Sequence, residues 1–287
     1  MPAQPAADRH PDEGFELTGP ATPLPVLLRS LWHSRALLMV LAKKDLFVRY
    51  RRTSLGLLWA LGLPMLQAVV LVVVFSHVVH ANKLVAHSGA SYPVFLYSGL
   101  VVWSFVAAVL PGASTAIVDN LGLVTKIYFP RLLTVLLVVV SGLVPLVVGI
   151  VALIGLTAVA GEGLHARILW LAPGIALVLL LVTGLGATLS ALHVYSRDVR
   201  YVVQAAMTLG FYTTPIIYPL YAAPDGLQLV LSCLPFAGPV ELFRAATMGA
   251  DPGWHTAVAA STCWAVAVCV LGAVLQSRRD RVFVDLL

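Results

Sequence analysis

Few residues in this 287-residue sequence have the types and spacing to do chemistry. His193 and Asp198, in HVYSRD, keep the HxxxxD spacing in which a histidine can serve as the base of an acyl transfer. Asp198 stands between Arg197 and Arg200, so local charge balance competes with that role. Cys233, Cys263 and Cys269 lack CxxC spacing and read as small buried hydrophobes, and no metal site is expected. The sequence contains no Gly-Lys pair and so no GxxxxGK[ST] loop to cradle nucleotide phosphates. Any associated ATP hydrolysis must come from another polypeptide.

Three further groupings suit binding rather than catalysis. The stretch KKDLFVRYRR, 43–52, gathers Lys43, Lys44, Arg49, Arg51 and Arg52, and arginine forks can clamp phosphate oxygens. Glu241 and Arg244, in PVELFR, are three apart and can meet on one helical face. Such a pair is modestly stabilising if exposed and more consequential at membrane depth, either as a structural ion pair or as part of a gate. Aromatics gather at Trp59, Tyr92, Phe95, Tyr97, Trp103 and Phe105, and again at Phe211, Tyr212, Tyr218 and Tyr221. An interfacial belt and ordinary packing account for most of them, while some rings could line a conduit and face the C–H faces of sugars.

The elements that must carry these residues are membrane-spanning helices. Hydrophobic residues make up 60% of the sequence and charged ones 11%, with a mean hydropathy of +0.93, outside the usual soluble range. A spanning helix needs about 20 apolar residues. Asp, Glu, Lys and Arg are absent from 53–82, 84–118, 132–161, 168–196, 201–224 and 252–277. The prediction is an all-α integral membrane protein of six transmembrane helices, the third long enough to be tilted or interrupted near Pro145. The first run is too long for the h-region of a signal peptide, about 7 to 15 residues, and is read as a retained span. His77, His80 and His193 fall at span ends, where a solvated histidine is the plainer reading.

Charge gives the orientation. All Lys and Arg except Lys83, Arg167 and Arg244 fall in the N-terminal arm, the loops after the second and fourth spans, or the tail. By the positive-inside rule those segments, and both termini, face the cytoplasm. The same sorting argues against a nucleic-acid patch: the 43–52 cluster reads as a cytoplasmic foot touching anionic headgroups of membrane lipids. Residues 1–23 read as a proline-rich disordered lead, 24–52 as an amphipathic interface helix with a basic collar, 53–277 as the six-span domain and 278–287 as a tail. A short soluble helix packing on the next loop is the other reading of 24–48. The loop DNLGLVTKIYFPR, 119–131, predicts a brief helix along the membrane, capped by Asp119 or Asn120 and ended at Pro130. The apolar segments 226–234 and 239–249, divided by Pro235, Gly238 and Pro239, are each too short to span and predict re-entrant half-helices.

Four segments together resemble one family: AKKDLFVRYRRTSLGLLWALGLPML (42–66), LVTKIYFPRLL (123–133), SRDVRYVVQAAMTLGFYTTPIIYP (196–219) and LPFAGPVELFRAATMG (234–249). They are similar to the permease subunits of type-2 ABC exporters that move polysaccharides, the Wzm-like O-antigen, teichoic acid and galactan transporters. The resemblance covers roughly residues 24–280. It implies a homodimer completed by two separate ATPase subunits that use ATP and Mg, with no cofactor in this chain and a polysaccharide on a polyprenyl diphosphate as substrate. It implies that Asn120, Leu123, Thr125, Lys126, Tyr128 and Pro130 form a coupling helix that docks the ATPase. Pro235, Glu241 and Arg244 would belong to extracellular gate helices, and Trp59, Trp103, Phe211, Tyr212 and Tyr218 would face the substrate conduit. The basic residues Lys43, Lys44, Arg49, Arg51 and Arg52 would meet the diphosphate at the entrance. One departure is Leu234, where the family often has asparagine before the proline of the gate segment. A drug or lipid exporter of the same type and a membrane acyl- or glycosyltransferase are the alternatives.

Overall fold

The computed structural model describes residues 24–51, 56, 58–77, 91–120, 122, 131–161, 166–249 and 253–279. Among them every long regular element is an α-helix. In chain order these are α1 (Leu24–His33), α2 (Arg35–Tyr50), α3 (Leu58–His77), α4 (Tyr92–Asp119), α5 (Leu132–Val159), α6 (Leu171–Tyr195), α7 (Val199–Thr213), α8 (Asp225–Ser232), α9 (Ala237–Thr247) and α10 (Trp254–Arg279). Two short 3-10 turns, Ala166–Trp170 and Leu220–Ala222, precede α6 and α8. The predicted lead 1–23, residue His80, the residues Leu123, Thr125, Lys126, Tyr128 and Pro130 of the predicted coupling helix, residue Arg52, and the tail beyond 279 lie outside the described residues, as does the side chain of Arg49.

Five helices are long and apolar enough to cross a membrane, α3, α4, α5, α6 with its preceding turn, and α10; there are six if α8 and α9, bent by 92° at a short break, count as one span. The chain is an all-α, multi-pass membrane protein. The third span is one continuous helix through Pro145.

The run expected as the fifth span is different. Its helix, α7, has 15 residues and is about 22 Å long at 1.5 Å per residue, short of a hydrocarbon core of about 30 Å. The proline at 215 ends it, because the ring clashes with an α-conformation in the residue before it. Thr214 accordingly adopts ψ 136°, and the chain runs on without helix to Pro219.

The predicted amphipathic helix 24–48 is two helices, α1 and α2, separated at Ser34. Cation–π pairs stand at the break and at the end of α2, with Arg35 4.6 Å from the Trp32 ring centroid and Arg51 5.1 Å from that of Phe47. Ala42 of α2 is buried and Met39 is exposed; α2 packs against α5.

Helix α4 forms the centre, packed on α5 and α6, with α10 lying along α6 and α9 wedged among α4, α6 and α10. Polar side chains tie α6 to α10: Thr188 donates to the Val268 carbonyl at 3.3 Å, and Gln276 to the Ala187 carbonyl at 3.1 Å. Two sequence expectations fail here. His193, expected to be solvated, is buried because it lies on the inward face of α6, and Cys233 and Cys263, expected to be buried, are exposed on outward faces.

Candidate functional site

Unwound backbone at the end of α7 needs hydrogen-bond partners, because carbonyls left open within a membrane are costly. The structure supplies them one by one. The Ile216 N–H turns back to the Thr214 carbonyl at 2.7 Å, a tight turn centred on Pro215. The Ile216 carbonyl accepts from Arg244 Nη2 at 3.0 Å, and the Ile217 carbonyl accepts from the Tyr92 hydroxyl at 3.1 Å. Tyr218 reaches back over the end of α7, donating to the carbonyls of Thr213 at 3.0 Å and Tyr212 at 3.3 Å.

Arg244 is the centre of this clamp. It and Glu241, one turn apart on α9, are both fully buried, with Nη1 2.8 Å from Glu241 Oε1. The guanidinium also lies 3.7 Å from the centroid of the Phe95 ring of α4. One side chain therefore joins an ion pair, a backbone carbonyl and an aromatic face, linking α9, the segment 214–218 and α4. Helix α9 is in turn held at its C-terminus by Arg167, whose Nη1 donates to the Met248 carbonyl at 3.3 Å.

Pro235 lies in the bend between α8 and α9. The turn at Leu234 is secured from α10, where Trp264 Nε1 donates to the Cys233 carbonyl at 2.9 Å and Ser261 Oγ to the Leu234 carbonyl at 3.4 Å. Ser261 Oγ also accepts from the Gly238 N–H at 2.9 Å, so α10 fixes both ends of the bend. Beside the clamp, Tyr212, Thr213, Tyr218, Ala222, Ala223, Leu227 and Leu231 line an open, mainly apolar groove of about 500 Å³.

The predicted conduit aromatics divide. Tyr212 is 65% exposed and Trp59 42% exposed. Trp103 is buried and offers no ring to an open surface: it packs tilted against Phe211 at 6.3 Å and edge-on against Phe236 at 6.1 Å, opposite Gly210. Phe211 is half-buried in the same contact, so both rings serve here as packing between α4, α7 and the bend. Tyr92 and Phe95 belong to the clamp, although the sequence showed them only as members of an aromatic cluster.

On the other face of the bundle, Lys43, Lys44 and Arg51 are exposed. Asn120 caps α4, its Nδ2 donating to the Ala116 carbonyl at 2.8 Å. The HxxxxD residues do not form an acid–base pair: His193 is buried, Asp198 is exposed, and no hydrogen bond joins them among the described residues. No cluster of His, Cys, Asp and Glu able to hold a metal occurs among the described residues.

Comparison with known proteins places the chain in a family. Residues 36–248 match the ABC-2 type transporter family. The O-antigen export system permease protein RfbA of Myxococcus xanthus is 31% identical over 222 residues, which cover 76% of this chain and 83% of that protein. The O-antigen export system permease protein RfbA of Klebsiella pneumoniae is 28% identical over 215 residues, covering 72% and 78%. A match extending from α2 to the end of α9 takes in the whole clamp, and the chain belongs to the ABC-2 type transporter family as a membrane-spanning transport subunit, not an enzyme.

Proposed function

We propose that the chain is the permease of an ATP-driven exporter that carries a polysaccharide, linked to a polyprenyl diphosphate, across the cytoplasmic membrane. The observation that carries this reading is the similarity to permeases named for O-antigen export, which spans most of both chains. The absence of a phosphate loop from the sequence requires a separate motor, supplied by two ATPase subunits that use ATP and Mg. A second copy of the permease completes the conduit, since one bundle this size encloses too little space for a hydrated sugar chain.

In this reading both termini are cytoplasmic. Lys43, Lys44, Arg49, Arg51 and Arg52 meet the diphosphate at the entrance, and Asn120, Leu123, Thr125, Lys126, Tyr128 and Pro130 dock the ATPase. Trp59, Tyr212 and Tyr218 offer apolar ring faces to sugar C–H groups without a buried charge, and Pro235 with the Glu241–Arg244 pair belongs to the outer gate. Depleting the permease in cells tests the proposal: surface polysaccharide falls and lipid-linked polymer accumulates inside, and re-expression reverses both. Undiminished surface polymer without internal accumulation refutes it.

A further inference from the structure

Helix α7 carries Tyr212 into the groove at one end and begins, at the other, beside the end of α4. There Asp119, the last residue of α4, accepts from Arg200 Nη2 at 3.2 Å through Oδ1. Its Oδ2 accepts from the hydroxyl of Thr115, one turn earlier, at 2.5 Å. Arg200 stands in the first turn of α7. Arg197, Asp198 at the N-cap of α7 and the buried His193 also stand near this junction, which therefore has two arginines and two carboxylates.

Both paired charges stand at the wrong helix ends. A carboxylate at the C-terminus of α4 meets the negative end of its dipole, and a guanidinium in the first turn of α7 meets the positive end. Each is unfavourable to its own helix, and each becomes favourable only opposite the other. The side chains are 49% and 50% accessible, so the bridge adds little to stability. A contact that disfavours both helices and holds weakly suits a joint that is made and broken. Thr115 is buried and fixes the carboxylate to α4, which leaves Arg200 as the movable partner.

Position decides what the joint connects. Asn120, next in the chain, opens the loop 119–131, while α7 leads to the groove. Along its length α7 has one buried residue, Val203, with Val199, Met207 and Phe211 partly buried against the core and Gly210 against Trp103. We propose that Asp119 and Arg200 pass displacement of the C-terminal end of α4 to α7, which makes them positioning residues for transport. The inference rests on the proposed docking of the ATPase at the loop 119–131.

The test uses the permease–ATPase complex with Cys233, Cys263 and Cys269 replaced by serine and Gln204→Cys as a reporter on the exposed face of α7. With the pair intact, ATP changes the labelling rate of this thiol. Arg200→Gln abolishes the change while ATP hydrolysis persists, and Asp119→Asn abolishes it too. Export by each single variant falls about fivefold or more, the lower range of a coupling between sites. The swap Asp119→Arg/Arg200→Asp suits both dipoles and restores labelling response and export. The inference is overturned if ATP leaves labelling unchanged in the intact complex, if the single variants respond and export normally, or if the swap reaches the membrane at wild-type level and stays defective. An ATP response that behaves as described in a complex exporting no polysaccharide upholds the joint and refutes the substrate assignment instead.

Discussion

Replacing Arg244 with methionine keeps the bulk of the side chain and removes its charge, so it isolates what the clamp contributes. The change takes away the donor 2.8 Å from Glu241 Oε1, the donor 3.0 Å from the Ile216 carbonyl and the cation over Phe95. Removing one side of a buried ion pair costs about 3–5 kcal/mol. The stranded carbonyl costs about 1–3 kcal/mol. These overlap, because one guanidinium serves both, so the expected loss is about 4 kcal/mol. At about 2–4 °C per kcal/mol for a chain of this size, the thermal midpoint falls by about 8–16 °C. Glu241→Met/Arg244→Met leaves no uncompensated charge and retains chiefly the carbonyl cost, so it is about 2 kcal/mol more stable than Arg244→Met. Unfolding of the solubilised protein, followed by tryptophan fluorescence, measures both. A double variant no more stable than the single one refutes the argument that buried charge sets the cost.

Other replacements separate packing from transport. Trp103→Ala opens a cavity between α4 and α7 and lowers stability by about 3–5 kcal/mol, read as a loss of thermal midpoint. Tyr212→Ala removes an exposed ring and leaves the midpoint within about 2 °C, while export of polymer, measured at the cell surface, falls. Gly238→Ala puts a Cβ 2.6 Å from Ser261 Oγ and 2.7 Å from the Ala257 carbonyl, pushing α9 off α10 at about 1–3 kcal/mol, read as a loss of thermal midpoint. Purified permease without its ATPase hydrolyses no ATP, and turnover above that of a mock preparation counts against a separate motor.

The helical membrane class was legible because long chargeless runs leave no other way to satisfy the backbone in lipid. The end of α7 was legible in principle as well: TTPIIYP places two prolines inside the apolar run, and each biases the residue before it away from helix. Hydropathy alone concealed this, since proline and threonine interrupt a helix without adding charge. The spacing of Glu241 and Arg244 gave their ion pair, but not its burial or the Ile216 carbonyl. The cover comes from Tyr92 and Phe95, on a helix far earlier in the chain, and no local pattern encodes that approach. The aromatic cluster likewise did not distinguish Trp103 from Tyr212. What separates them is Gly210, whose missing side chain admits the Trp103 ring: a Cβ there would lie 2.6 Å from Trp103 Cη2.

The two ends of α7 are held in physically opposite ways. At the groove the segment beyond the helix is bound through buried, fully enclosed contacts from Arg244 and Tyr92, which must be satisfied together because an open carbonyl or a lone charge is costly there. At the foot the Asp119–Arg200 bridge is half-exposed, screened by solvent and set against both helix dipoles. Between the two ends α7 is held to the bundle by buried Val203 and by Val199, Met207 and Phe211 packed on the core, so the foot is the weaker of its two end attachments. On the proposed coupling, α7 pivots about the segment 214–218, and Tyr212, two residues before that pivot, changes orientation more than it changes position. Such a movement leaves Glu241 and Arg244 paired beside the groove, and so avoids stranding a buried charge, which costs about 3–5 kcal/mol when one partner of such a pair is removed.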